Sequence, residues 1–152
     1  MEVVQLQRRF VELLSSMFTE GYLDEQFIQI QGLQEEGSTD FLVEVMSMFF
    51  QDSEKLMHEM NIALDQQFVD FKKIEANAHQ LKGSSASMGA KRVKDVCAAF
   101  RSLCEGMDRE GCLMCFHQLK HEFPLVKGKI EALLRLQQQI IAAGGAVPVV
   151  EP

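Results

Sequence analysis

Between Val3 and Ile141 the chain contains one proline, Pro124, and almost no β-branched alternation. Over the same stretch apolar residues recur every three or four positions. That pattern supports buried helix faces and leaves little for a sheet to use. The other two prolines, Pro148 and Pro152, fall at the very end. The sequence therefore predicts an all-α protein.

Six helices follow from the periodicity. The first covers about Val3 to Glu20, with Leu6, Phe10, Leu13, Leu14, Met17 and Phe18 on one side and Gly21 ending it. Asp24 caps a short second helix to about Leu33, with Phe27 and Ile30 inward. After a loop over Glu35–Asp40, capped by Ser38 or Thr39, the third helix runs from about Asp40 to Leu64. Its stripe is Leu42, Val45, Met46, Phe49, Leu56, Met57 and Met60, widened by Phe41 and Phe50. The fourth runs from about Phe68 to Met88 and stops at Gly89, a residue suited to a left-handed helix end. The fifth covers Lys91 to Glu105, and the sixth runs from Arg109 towards Ile141 with a kink expected at Pro124. Short connections make neighbouring helices antiparallel. Helices three to six then form a C-terminal antiparallel four-helix bundle, with the first two packed on it. Residues 1–143 form a single domain, and 144–152 are expected to be a flexible tail.

Composition narrows the function classes. With 15 Lys and Arg against 22 Asp and Glu, the net charge is −7. A nucleic-acid binder would ordinarily show a basic face, so no nucleic-acid partner is expected. No apolar run approaches the ~20 residues that span a bilayer, and no secretory signal opens the chain, so no membrane partner is expected either. Cys97, Cys104, Cys112 and Cys115 read as free thiols. Cys112, Cys115, His117 and His121 invite a zinc reading, but ligands on successive turns of one helix cannot all converge on a tetrahedral ion. Incidental packing of the cysteines and two exposed histidines is the preferred reading, with no metal site.

The fourth helix carries the chemistry. Phe71, Ile74, Ala78, Leu81, Ser85 and Met88 repeat at intervals of three and four, which defines a bundle-facing seam. At ~100° per residue, His79 sits roughly 130° from the centre of that seam and points outward. Its surface neighbours are Lys72, Glu75, Ala76, Lys82, Gly83 and Ala86. A glycine inside a helix costs about 1 kcal/mol relative to alanine. Gly83 therefore suggests that another surface approaches the imidazole closely. A neutral imidazole is a competent nucleophile near pH 7 and can hold a phosphoryl group, expected on its outer nitrogen, Nε2. Lys82 can neutralise part of the phosphoryl charge. Ser84, Ser85 and Ser87 are assigned supporting roles at most, Ser85 facing inward.

The run His79-Gln80-Leu81-Lys82-Gly83-Ser84-Ser85-Ala86-Ser87-Met88-Gly89-Ala90 closely resembles the core motif of plant histidine-containing phosphotransfer (HPt) proteins. Gly21–Phe27, Phe49–Ser53 and the cysteine-bearing stretch Val96–Glu122 also look like that family, so the resemblance covers nearly the whole chain. Met88 departs from it, standing where Ile or Val is more usual. The resemblance implies a phosphorelay intermediate. His79 would accept a phosphoryl group from the receiver-domain Asp of a hybrid sensor histidine kinase and pass it to the receiver-domain Asp of a response regulator. Lys82 would steady the phosphoryl group, and Gly83 would leave room for the receiver. Lys72, Glu75, Ala76, Gln80, Ala86 and Ser87 are expected in the partner footprint, with parts of the second and third helices. No Walker loop or kinase motif set is present, so the chain is expected to be a phosphocarrier and not an enzyme with its own ATP site. No cofactor is expected, Mg²⁺ belonging to the receiver. A monomer is expected, and the family implies cytokinin signalling and movement between cytoplasm and nucleus. Three other readings compete: a helical adaptor in which His79 is incidental, a kinase dimerisation domain, and the metal-binding bundle. The absence of a proline soon after His79 disfavours the second.

Overall fold

The computed structural model describes residues 2–34 and 38–152. The expected loop residues Glu35–Gly37 lie outside the described residues. The all-α, six-rod plan holds, and it is built from seven helical segments among the described residues. These are α1 (Val3–Thr19), α2 (Glu25–Gln31), α3 (Asp40–Leu64), α4 (Phe71–Met88), α5 (Lys91–Ala98), α6 (Phe100–Glu105) and α7 (Arg109–Ala142). α3, α4, the α5–α6 arm and α7 close a four-rod bundle, each packing on the next and α7 back on α3. α1 lies along α7, and α2 packs on α4.

Aspartates start three of these helices. Asp24 accepts a bond from the Gln26 N–H, Asp70 from the Lys73 N–H and Asp108 from the Gly111 N–H. Each satisfies a donor that the first turn leaves unpaired. Asp70 explains why α4 begins at Phe71 and not at Phe68, which is left outside and largely exposed. Phe41, expected to widen the α3 stripe, is also exposed, whereas Phe50 turns inward and meets Phe49 and Phe123 edge-on or tilted.

The fifth rod is interrupted at Ala99. The Val96 carbonyl accepts from the Ala99 N–H at 3.2 Å and from the Cys115 thiol of α7 at 3.4 Å. That tightened turn ends α5, and the fully buried Phe100 opens α6. α7 passes through Pro124 without ending. The residues after α7, read from the sequence as a tail, lie against the rest of the molecule. The Gln7 side-chain amide donates to the Ala146 carbonyl, Val147 packs against the core and Val150 is buried. Apolar valines and a hydrogen bond to α1 give this segment something to dock on.

All four cysteines are buried, not superficial. Burial pushes the thiols of Cys97 and Cys104 up to about 12 and that of Cys115 to about 11, and also raises Cys112. They stay protonated and unreactive at neutral pH. His117 and His121 are exposed, on a different side of α7 from Cys112 and Cys115. Among the described residues no three His, Cys, Asp or Glu side chains converge as a metal site.

Candidate functional site

α4 is held on three sides, and its fourth faces solvent. Ile74, Ala78, Leu81 and Ser85 are buried, and Phe71 and Met88 pack partly against the core, as the seam requires. Asn77 is buried as well, its amide donating to Glu59 Oε2 on α3 at 3.1 Å. The seam pattern alone does not reveal this, because it depends on a partner from another helix. Every residue expected on the outward side is exposed or half-buried: His79, Gln80, Lys82, Gly83, Ser87, Lys72 and Ala76 are exposed, and Glu75 and Ala86 are half-buried.

His79 borders an open hollow of about 440 Å³. Lys72, Glu75, Ala76, Ala78 and Lys82 line it from α4. Cys97, Ala98 and Arg101 form the facing wall from the α5–α6 arm. Gln80, Gly83, Ala86 and Ser87 do not line this hollow; they extend the exposed surface around His79. Three cations and one carboxylate thus surround the imidazole on a protein whose net charge is −7. Among the described residues neither Lys72 nor Lys82 forms a salt bridge. Such a hollow favours an anion. Arg101 was not foreseen from the sequence. Only the tertiary placement of α6 against α4 brings it here, and its position after the Ala99 break carries no local signal.

Gly83 lies inside α4, one turn beyond His79. A Cβ placed there meets no atom within 4 Å. Nothing among the described residues therefore requires glycine at this position. The serines remain secondary: Ser84 and Ser87 hydroxyls donate to the Leu81 and Gly83 carbonyls at 3.1 Å, and Ser85 is fully buried.

These features define a helical bundle with an exposed histidine beside an open, largely cationic hollow. The comparisons with known proteins agree. The model of the Hpt domain matches residues 44–141. Histidine-containing phosphotransfer protein 1 of Arabidopsis thaliana is 49% identical over 151 residues, covering 99% of this chain and 98% of that protein. The crystal structure of a histidine-containing phosphotransfer protein from Medicago truncatula superimposes with a TM-score of 0.87 at 52% identity, covering 93% of this chain and 96% of that one. A pseudo histidine-containing phosphotransfer protein of Arabidopsis thaliana is 44% identical over 144 residues, covering 94% of each.

The chain belongs to the Hpt family, the phosphotransfer proteins of plant two-component signalling. Proteins of this family are phosphocarriers that work with receiver domains of kinases and response regulators.

Proposed function

We propose that His79 is the residue that carries the phosphoryl group, taking it from the receiver-domain Asp of a hybrid sensor kinase and giving it to that of a response regulator. The observation that carries this reading is Gly83. An exposed helix-interior glycine costs stability, and no contact among the described residues offsets it. Its use lies outside the chain, in the close approach of another surface to His79. Because a pseudo-phosphotransfer relative is nearly as similar as the others, the reading rests on His79 and its surroundings more than on overall likeness.

In the forward step the neutral imidazole attacks the phosphorus of an acyl phosphate. The N–P bond forms, the P–O bond to the receiver carboxylate breaks, and the carboxylate leaves as the anion. The imidazole keeps the proton on its other nitrogen. Lys82 faces the transferring oxygens, and Mg²⁺ is supplied by the receiver. The chain has no ATP site in this scheme and serves as a monomer, with Lys72, Glu75, Ala76, Gln80, Ala86 and Ser87 under the docked receiver. A role in cytokinin signalling fits the names of the Arabidopsis relatives and is part of the proposal, as is residence in both cytoplasm and nucleus.

The test is transfer of label from a phosphorylated receiver domain in Mg²⁺, with His79→Gln in parallel. Acid-labile, base-stable label on the wild type and none on the variant is expected. Label on both would move the acceptor to His58, His117 or His121. Label on neither, across several receivers, would favour the adaptor reading.

A further inference from the structure

Where α3 meets α7, an open groove of about 530 Å³ runs along the bundle, and phosphoryl transfer at His79 makes no use of it. Spacings of four, three and four put Phe116, Lys120, Phe123 and Lys127 on one side of α7. The floor of the groove is apolar, with Met57 from α3 and Phe116, Phe123 and Pro124 from α7. The two phenylalanines are buried and Met57 is half-buried, so the core holds this floor in place. Charge sits on the rim, which His58 and Asn61 complete. Lys127 Nζ lies 2.6 Å from Glu54 Oε1, and the two charges cancel. Among the described residues Lys120 forms no salt bridge, and its ammonium stands 5.2 Å from the centre of the Phe116 ring. The groove thus joins an aromatic floor to one uncompensated cation.

We propose that this groove is a binding site for a small aromatic monoanion, a carboxylate or sulfonate carried on one or two rings. Its size falls in the range of roughly 300–1,000 Å³ usual for small-molecule sites. Charge alone would not select it, because the hollow beside His79 holds three cations. That hollow has no aromatic wall, its apolar lining being alanines and Cys97. A compact inorganic anion therefore suits the hollow, and an anion with an aromatic body suits the groove. The rings lie against Phe116, Phe123 and Met57, and the acid group meets Lys120. Glu54 stands with Lys127 about two turns, or ~10 Å, further along α7, and its carboxylate turns the acid group towards the Lys120 end. Because α3 packs on α4 and α7 packs on the α5–α6 arm, groove and hollow lie on opposite sides of the bundle. The site is independent of the phosphorelay reading.

The probe is anilinonaphthalene sulfonate, an aromatic monoanion, with the uncharged amine that lacks its sulfonate as the control. Both are titrated by fluorescence into the full chain, Lys120→Glu and Lys120→Gln, and located by amide chemical shifts on isotope-labelled protein. Saturable binding of the sulfonate is expected, with a Kd on the order of 10–100 µM for a ligand of ~20 heavy atoms. Its shifts should fall in residues 54–61 and 116–127. Lys120→Glu should weaken the sulfonate about fivefold, by removing one partly exposed ion pair and adding a repulsion, and change the uncharged amine by less than about twofold. Lys120→Gln should give a smaller loss of the same sign. Melting curves should coincide for the three proteins, because Lys120 is exposed. Failure to saturate below about 1 mM would overturn the proposal. So would shifts centred on His79, or an affinity for the sulfonate that Lys120→Glu leaves unchanged. Groove shifts that follow protein concentration without any probe would make a second copy of the chain the occupant, and would overturn it too. None of these outcomes bears on His79 as the carrier.

Discussion

Two glycines of one helix, six residues apart, answer to opposite demands. Gly89 ends α4 in the left-handed region, with φ +76°. A Cβ there would collide with the backbone nitrogen of Phe27, and the Gly89 carbonyl accepts from the Asp24 N–H at 2.9 Å. The corner around it is dense. Lys91 N–H donates to the Tyr22 carbonyl, the Arg92 guanidinium stacks over the Tyr22 ring, and Arg92 pairs with the buried Glu122. Gly83 sits in regular helix with open space beside it. The corner is specified from within the fold, whereas, on the function proposed above, the outward face of α4 answers to a partner that docks on it. On that proposal cost and benefit are separated: removing Gly89 is expected to harm the free protein, and removing Gly83 only its encounter with a partner.

The largest expected effect comes from breaking the corner. Gly89→Ala should destabilise by about 3 kcal/mol, combining left-handed strain with a backbone collision that only a shift of α2 can relieve. Thermal denaturation checks it, and a loss below about 1 kcal/mol would mean that the α2–α4 corner yields easily. Next comes Arg92→Met, which keeps some packing but leaves the Glu122 carboxylate buried without its cation. A loss of about 2 kcal/mol is expected, tempered by the partial exposure of Arg92. The smallest effect has the opposite sign. Gly83→Ala should stabilise the free protein by roughly 0.5–1 kcal/mol, because alanine is the better helix former and no clash opposes it.

Local chemistry made much of this legible in advance. The apolar stripe and flanking turn residues locate α3 at the boundaries found, and Asp24 caps α2 as its residue type suggests. Angular arithmetic on α4 places His79, Lys82 and Gly83 on the exposed face, where they are. What stayed hidden depends on contacts between distant segments. The break at Ala99 falls where the Val96 carbonyl also accepts from the Cys115 thiol of α7. Arg101 joins the hollow only because α6 restarts against α4. Docking of Val150 and the exposure of Phe41 likewise reflect what the neighbouring surfaces leave available, which a helical repeat does not record.

The most direct test of the contrast between the two glycines is the rate of phosphoryl transfer from a phosphorylated receiver to Gly83→Ala, measured on protein whose melting midpoint has risen. The account predicts a fall of about tenfold or more in transfer despite the gain in stability, because the added methyl projects only into the space a partner would use. Transfer at the wild-type rate would contradict it, since Gly83 would then serve neither the fold nor the encounter at His79.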